Sequence, residues 1–372
     1  MGFSFQVGSL EELHRRGRQS FRKLLPGGQR PPSADTLGYS LKRADLGGIK
    51  QLFVAVMQKV RRSRMVGWVG NLRVVAMDGT GLYSSESRCC SQCQQVAHGG
   101  GRVEYRHEAV YCQTVGPEPR VFWGVEPVGP GEGEQTAALR LVAWLWQAFK
   151  HFADVVVVDA GYAKAKFINA VRGLGIHLVI RLKDERMHLV QDARGLYGTG
   201  EPSAHWTEKQ GGYETQVKVW DEEGFQSWDG VEEPLRVVRI VEERSGRKIR
   251  GGPGQAVVEQ REILVATTLS KQQSKAEAIR EIIHRRWEIE NSGFHEVKGN
   301  WHLEHCYVHQ EVAIEAVLWL MLLAINLFWL FLYRNRRSFV GSDYSEREVA
   351  EWLRNELVFS KATFWRYFWD TS

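Results

Sequence analysis

Apolar runs and amphipathic periods alternate along the middle of the chain and predict a sheet flanked by helices. Four consecutive valines at 155–158 are typical of a strand that is buried on both faces. The other strand-like runs are 72–77, 103–115, 120–125 and 177–182. Helical periods follow at 134–152 and 163–174. This order, in which a hairpin precedes strands joined through helices, predicts an α/β fold with a mixed sheet.

A glycine-rich segment at 187–260 has a different character. Its alternating runs at 215–220 and 235–241 predict strands, so we interpret the segment as a β-rich insertion. The run at 261–268 then predicts a strand that returns to the sheet. A long helical pattern that opens near Ser274 follows this strand.

Helical patterns also occupy the two ends of the chain. Residues 1–70 carry amphipathic helices at 10–25 and 46–65, and the second ends in a basic run that could contact phosphates or face solvent. The tail at 335–372 predicts a helix and then an aromatic run that packs on the core.

The most apolar segment is Ala313–Leu332, which only Glu315 and Asn326 interrupt. Its length would allow it to span a bilayer. A single late span beside a soluble sheet would need a separate reason, so we interpret the segment as a buried core helix. A membrane anchor stays open as the alternative, although we expect no membrane partner.

Composition narrows the class of protein only a little. The 372 residues suffice for one large domain with an insertion or for two domains, and the net charge of +5 permits an anionic partner such as nucleic acid. Five cysteines in a chain of this size argue against a disulfide scaffold and for a reducing compartment. The first residues show no basic segment followed by an apolar run, so we expect no signal peptide and a cytoplasmic location.

Two acidic residues follow predicted strands. Asp78 comes after the run at 72–77 and opens an Asp-Gly-Thr-Gly turn, and Asp159 comes directly after the four valines. Ligand sites in open α/β sheets lie at the carboxyl ends of strands, which favours a site here. Taken alone, each acid is also a common turn residue.

A third acid lies on the long helical pattern. One stripe of this pattern consists of Ile283, Trp287, Glu290, Phe294 and Val297. An acid within a core-facing stripe is costly unless it is paired or holds a metal. Arg286, one turn earlier, could pair with Glu290, whereas Glu288 falls off the stripe and is expected in solvent.

Together, Asp78, Asp159 and Glu290 could bind two divalent ions. Carboxylate oxygens suit Mg²⁺, and two-metal sites support in-line displacement at phosphorus. Phosphoryl transfer is therefore the candidate chemistry, and an ion pair between Arg286 and Glu290 is the simpler alternative.

A polar loop after the first strand contains a second candidate metal site. Cys90 and Cys93 have the Cys-x-x-Cys spacing of zinc ligands, and His107 could join them. His98 and Cys112 are further candidates for the set. Because the sequence has no second Cys-x-x-Cys pair, free cysteines are the alternative to a structural zinc site.

The sequence resembles the DDE transposases of bacterial insertion sequences over roughly residues 72–332. The resemblance rests on Asp-Gly-Thr at 78–80, Val-Val-Asp-Ala-Gly-Tyr at 157–162, and Arg-Trp-x-Ile-Glu-x-x-x-Phe-x-x-x-Lys at 286–298. The third block is the most specific, and it looks closest to the group with a Tyr-Arg-Glu-Lys signature and a β-rich insertion before the catalytic Glu.

Two positions depart from that signature. Ile283 occupies the place of the signature Tyr. Seven residues, where the group usually has six, separate Glu290 from Lys298.

The resemblance implies a ribonuclease H-like mixed sheet with flanking helices. It implies that Asp78, Asp159 and Glu290 are the catalytic ligands of two Mg²⁺ or Mn²⁺ ions. In its terms, residues 71–186 would form the first part of the core and 187–260 the insertion. The remaining parts would be a basic helical region at 1–70, the last core strand with the catalytic and apolar helices at 261–334, and a helical tail at 335–372.

The resemblance also implies contacts with DNA. Arg286 matches the signature Arg, and Lys298 matches the Lys that contacts phosphate near the scissile end. Arg181 and Lys183, at the end of a predicted strand, could touch phosphate or equally face solvent.

We therefore predict a DNA transposase that hydrolyses a phosphodiester at the element's end and then uses the freed 3′-hydroxyl to attack target DNA. Double-stranded DNA as the partner, a homodimer on DNA and association with a bacterial nucleoid are implied by the resemblance. A metal-dependent nuclease of the same fold is the first alternative. The second alternative is a catalytically inactive DNA-binding protein derived from a transposase.

Overall fold

The four valines lie near the centre of a mixed sheet that has ten strands among the described residues. The computed structural model describes residues 6, 8–19, 30–63, 65–248, 255–335 and 346–359. The strands are β1 (Val74–Ser85), β2 (Gln94–Ala97), β3 (Val103–Thr114), β4 (Phe122–Pro127), β5 (Val155–Val158), β6 (His177–Leu182), β7 (Ala204–Gln210), β8 (Tyr213–Phe225), β9 (Leu235–Lys248) and β10 (Gln255–Thr267).

Helices flank this sheet and occupy the described parts of both chain ends. The α-helices are α1 (Leu10–Gln19), α2 (Ala34–Leu41), α3 (Leu46–Arg62), α4 (Glu134–Phe149), α5 (Ala165–Gly173), α6 (His188–Gly198), α7 (Ala276–Arg285), α8 (His295–Gly299), α9 (Glu311–Arg334) and α10 (Glu346–Phe359). A π-helical segment at Ile289–Phe294 lies between α7 and α8.

Strands β1, β3, β4, β5 and β6 form the mixed part of the sheet. β1 pairs with β3 antiparallel on one side and with β5 parallel on the other, while β4 pairs with β3 and β6 runs parallel to β5. The resulting order is β4-β3-β1-β5-β6, with three antiparallel strands followed by two parallel ones. The α/β mixed sheet with flanking helices is therefore confirmed, and its order is consistent with a ribonuclease H-like fold.

The four later strands extend the sheet as an antiparallel meander. β10 joins it to the mixed part by pairing with β6, from Leu264 opposite Leu182 to Thr267 opposite Val179. β10 begins at Gln255, earlier than the strand predicted at 261–268, because its outer half pairs with β9. The glycine-rich segment is also not all β, since it opens with helix α6.

Helix α9 is the apolar segment, and it packs against α2, α3 and β4. Among the described residues it is the one helix whose length and apolar composition would permit a membrane crossing, yet 67% of its most apolar window is buried inside the protein. Both polar interruptions have partners. Glu315 pairs with Lys50 of α3 at 2.6 Å. The Asn326 amide donates to the Phe122 carbonyl at 2.7 Å and accepts from the Phe122 N–H at 2.9 Å.

The described parts of the chain ends are helical, as their patterns predict. α2 was not predicted, and it begins where the Ser33 hydroxyl accepts from the Thr36 N–H at 3.2 Å. The basic run of α3 has in part a structural role, because Arg61 donates to the carbonyl of Phe149 at the end of α4. The last part of the predicted helix at 10–25 and the aromatic run of the tail lie outside the described residues.

We predict that Asn326→Leu destabilises the fold by about 1–3 kcal/mol, because the Phe122 N–H and carbonyl would lose their buried partner. Urea denaturation followed by circular dichroism measures this change. Gln147→Leu replaces an amide by leucine at an exposed position of α4, and it should shift the free energy of unfolding by less than about 0.5 kcal/mol. Equal stability of the two variants would contradict the proposed role of Asn326.

Candidate active site at the ends of the central strands

Asp78 and Asp159 lie side by side because β1 and β5 are parallel and paired in register. Their pairing ends with Ala76 opposite Val157, and each acid follows two residues later. β1 does not end at Asp78 as predicted. It continues to Ser85 because its polar half still pairs with β3. Asp78 therefore lies within a strand, at the point where the neighbouring β5 has stopped.

The carboxylate of Asp159 is partly fixed by its own turn. One oxygen, Oδ1, accepts from the Gly161 N–H at 2.7 Å and caps the short 3₁₀ turn Ala160–Tyr162. The other oxygen, Oδ2, lies 3.9 Å from the ammonium of Lys183. One oxygen of Asp159 is thus held by the backbone, and the other faces a half-exposed cation.

Glu290 comes to the same place from the π-helical segment. The Arg286 guanidinium donates to Glu290 Oε1 at 2.5 Å and lies 3.7 Å from Asp78 Oδ2, so the predicted ion pair between Arg286 and Glu290 is present. The predicted core-facing stripe is wrong at this point. The i→i+5 turn rotates the positions that follow α7, so Ile289 is fully buried and Glu290 is 32% exposed beside Asp78.

Glu288 is not in solvent, contrary to the prediction. Its Oε2 accepts from the Gly116 N–H at 2.7 Å, and its Oε1 accepts from Arg285 at 2.9 Å. Both carboxylate oxygens are therefore engaged, one by the turn between β3 and β4 and the other by Arg285 at the end of α7. The contact with Asp78 belongs to Arg286, the partner of Glu290, so Glu290 is the stronger candidate for the third acid of the site.

The neighbouring acids change the pKa of Asp78. Burial, the negative charge of Glu290 and the weaker effect of Asp159 raise the pKa of Asp78 to about 8, although Arg286 opposes the shift. Burial is the largest cause of this shift, and the two neighbouring carboxylates add to it.

A fourth acid, Glu134 at the start of α4, belongs to the same surroundings and was missed from the sequence. Its carboxylate lies against Gly79, where any Cβ would overlap it. Tyr162 donates to Glu134 Oε2 at 3.3 Å. Burial raises the pKa of Glu134, and the charges of Glu108 and Asp159 add to the shift. The available signal was an acid that opens a helix directly after a glycine-rich link.

The donor set fits divalent cations. Asp78, Asp159 and Glu290 offer carboxylate oxygens, which are the ligands that Mg²⁺ and Mn²⁺ prefer. These acids carry more negative charge than the Arg286 guanidinium between Asp78 and Glu290 can balance, so a divalent cation at this place would be stabilised. These three residues could therefore hold the metal.

The predicted DNA-contacting cations lie in different surroundings. Arg286 is buried, with only 2% of the residue exposed, and faces the acids. Burial lowers the pKa of Arg181 in β6, with contributions from Arg261 and Arg286, which places it beside the site. Lys183 lies next to Asp159, and Lys298 pairs with Glu304 at 2.8 Å. Their roles on DNA stay predictions.

The predicted zinc ligands Cys90, Cys93 and His107 come together elsewhere in the structure, and His309 joins them. The other two candidates do not. His98 pairs with Glu104 at 2.8 Å, and Cys112 is buried in the core. His309 had no recognisable signal in the sequence, because it lies more than two hundred positions from the cysteines.

Comparison with known proteins defines the class of protein to which this site belongs. The sequence profile of a family described as "Transposase DDE domain" matches residues 71–327, which is well over half of the chain. The chain therefore belongs to the DDE transposase family.

No curated protein matches it. Among solved structures it is similar to piggyBac transposase, in a cryo-electron microscopy structure of its synaptic complex with hairpin DNA. The sequence identity is 11% and the TM-score 0.40, and the similarity covers 80% of this chain and about half (54%) of that one.

We predict that Asp78→Asn stabilises the metal-free protein at pH 8 and has little effect near pH 4. The pKa of Asp78 rises from 3.8 to about 8 on folding, so the folded state binds the proton more tightly than the unfolded state. The wild type therefore loses stability as the pH rises between these two values, and the amide cannot contribute to this loss. Thermal melts in EDTA across that range measure the effect.

Asp192→Asn at an exposed position of α6 serves as the control, and its melting temperature should follow that of the wild type at every pH. If Asp78→Asn and the wild type changed in parallel from pH 4 to pH 8, the raised pKa of Asp78 would be refuted.

Proposed function

We propose that this protein is a DNA transposase that cuts the ends of a mobile element and joins them to target DNA at one metal-dependent site. The observation that carries this proposal is the convergence of Asp78, Asp159 and Glu290 from β1, β5 and the π-helical segment. Membership of the DDE transposase family supports it. The match of Arg286, Glu290 and Lys298 to the third signature block supports assignment to the Tyr-Arg-Glu-Lys group of bacterial insertion sequences.

The three acids would hold two Mg²⁺ or Mn²⁺ ions in this proposal. When bound, such ions activate the attacking water or 3′-hydroxyl and stabilise the charge on the leaving oxygen during in-line displacement at phosphorus. Asp78 must release its proton to become a ligand. Arg286 fixes the carboxylate of Glu290 beside Asp78, and the Gly161 N–H fixes that of Asp159.

Glu134 would act on the arrangement of the site. It packs against the backbone of β1 at Gly79, directly after Asp78, and accepts from Tyr162, three residues after Asp159. It thereby links the two strands that carry the first two acids. We assign Glu134 a positioning role, because its contacts are with the residues next to the acids.

Double-stranded DNA is the proposed substrate, and its phosphates would approach over the half-exposed side of the site. Lys183, with 52% of its side chain exposed, is the most accessible of the predicted cations. Arg181 and Lys298 would contact phosphate nearby, and Lys298 would exchange Glu304 for DNA. A homodimer that holds two DNA ends, and a nucleoid location in a bacterial cytoplasm, complete the proposal.

The cleavage test uses isosteric variants, because amides keep the shape of the acids and remove only the charge. We expect Asp78→Asn, Asp159→Asn and Glu290→Gln each to lower Mg²⁺- or Mn²⁺-dependent cleavage of DNA that carries the element's flanking repeats by at least about 100-fold. Glu288→Gln is the matched control, because the amide oxygen can still accept from Gly116. This variant should cleave like the wild type.

Each outcome has a distinct meaning. If Glu290→Gln cleaves DNA normally and Glu288→Gln does not, Glu288 is the third metal ligand and Glu290 is not. A second assay offers a pre-cleaved end with a free 3′-hydroxyl and a target plasmid. If the protein cleaves the element's ends but does not join them to the target plasmid, it is a metal-dependent nuclease. If it binds DNA but does not cleave it with either Mg²⁺ or Mn²⁺, it is an inactive DNA-binding protein derived from a transposase.

Lys183→Gln tests the proposed DNA path. We expect it to weaken binding to all DNA sequences alike and to reduce the slope of log affinity against log salt by about 1, because one phosphate contact is lost. Lys218→Gln removes an exposed lysine from β8 and controls for the change in net charge. Fluorescence anisotropy at several salt concentrations measures both variants. An unchanged slope for Lys183→Gln would place Lys183 outside the DNA path.

A further inference from the structure

Two cysteines and two histidines meet in a cluster that is separate from the carboxylates. Cys90 and Cys93 lie on the loop between β1 and β2, His107 lies in β3, and His309 lies just before α9. Their Sγ and Nε2 atoms all lie within 4.8 Å of one another. Cys93 and His107 are almost fully buried, with 3% and 5% of each residue exposed.

The separations within the cluster match a tetrahedron of zinc ligands. With Zn–S bonds of about 2.3 Å and Zn–N bonds of about 2.0–2.1 Å, a tetrahedral site would separate two sulfurs by about 3.8 Å, two nitrogens by about 3.3 Å, and sulfur from nitrogen by about 3.6 Å. The Cys90 and Cys93 sulfurs lie 3.8 Å apart. The Nε2 atoms of His107 and His309 lie 3.3 Å apart.

The sulfur–nitrogen distances are somewhat shorter than the expected tetrahedral separation but close to it. Cys90 Sγ lies 3.5 Å from His107 Nε2. Cys93 Sγ lies 3.1 Å from His107 Nε2 and 3.3 Å from His309 Nε2. Hydrogen bonds alone explain this arrangement poorly, because the two Nε2 atoms face each other and thiols are weak donors and acceptors.

The surroundings of the cluster keep its members in place. The backbone N–H of Cys90 donates to Cys93 Sγ at 3.2 Å. The Tyr83 ring packs against the rings of His107 and His309, with centroids 5.1 and 6.0 Å apart. Ser91, between the cysteines, donates to Glu311 at the start of α9. Groups outside the four ligands thus orient them, as is usual in metal sites.

We propose that Cys90, Cys93, His107 and His309 bind one structural Zn²⁺ ion. Four protein ligands leave no open position, which is the mark of a structural site. The ion would join the loop after β1 and strand β3 to the segment between α8 and α9. The segment between α8 and α9 follows the helical region that carries Glu290. The zinc site would therefore attach the C-terminal end of that region to the sheet.

The first test examines the wild-type full chain and requires no variant. We expect about one Zn²⁺ per chain by mass spectrometry of the metal after purification with reductant. X-ray absorption at the zinc edge should give two sulfur and two nitrogen neighbours. Replacement by Co²⁺ should give the intense visible bands of a tetrahedral site and a thiolate-to-cobalt charge-transfer band. A chain that stays free of metal after Zn²⁺ loading, or zinc without sulfur neighbours, would overturn the proposal.

The second test compares matched variants. Cys93→Ser and His309→Asn should lose most of the zinc and the cobalt charge-transfer band, and strong chelators should lower the melting temperature of the wild type. Cys89→Ser and His98→Asn, which change neighbours outside the cluster, should keep the full zinc content. Full zinc content in His309→Asn would refute the four-ligand site.

A third comparison separates this site from the proposed active site. Asp78→Asn and Asp159→Asn should keep the zinc and its sulfur neighbours, because sulfur and nitrogen ligands select Zn²⁺ over Mg²⁺. Loss of zinc in both aspartate variants would show that the metal lies at the carboxylates, which contradicts the proposal. The outcome does not depend on whether the protein cleaves DNA.

Discussion

The buried guanidinium of Arg286 donates to Glu290 and lies 3.7 Å from Asp78, and the centre of the protein depends on this shared charge. Asp159 adds a further negative charge to the same surroundings, and Asp78 retains its proton up to a pH of about 8. Burying such a set costs more than burying apolar residues of similar volume. An arrangement that is costly for the fold but suited to cations is what a metal-dependent site requires.

Backbone geometry, more than side-chain packing, places the acids. The parallel pairing of β1 with β5 sets Asp78 and Asp159 at one height, because each acid follows two residues after the paired Ala76 and Val157. The π-helical segment turns Glu290 toward the sheet and buries Ile289 in the core. Gly79 leaves room for the Glu134 carboxylate, which a larger residue would displace.

The sequence alone predicts those strands and helices that show a clear local pattern of apolar residues. The run of valines predicts β5 and its end before Asp159, and the mixed sheet follows from the order of strands and helices. The course of β1 past Asp78 was not predictable, because its second half is polar and is held by β3. A regular helical period also cannot show an i→i+5 turn, so the predicted burial of Glu290 and the predicted solvent exposure of Glu288 were both wrong. Glu134 and His309 join their clusters only through tertiary contacts.

The segment from α7 to α9 connects these observations. Arg286 fixes its beginning to the acids of the sheet, and Lys298 pairs with Glu304 across the turn that follows α8. The Cys/His cluster fixes its end to β3 through His309. Among the three acids proposed to bind Mg²⁺, Glu290 is the one that a helical segment carries, whereas Asp78 lies in β1 and Asp159 directly follows β5. The position of Glu290 therefore depends on how firmly this segment is held. A helical segment holds a carboxylate as precisely as a strand does only if both ends of the segment are attached to the rest of the protein. In the proposed zinc site, the ion would provide the second attachment.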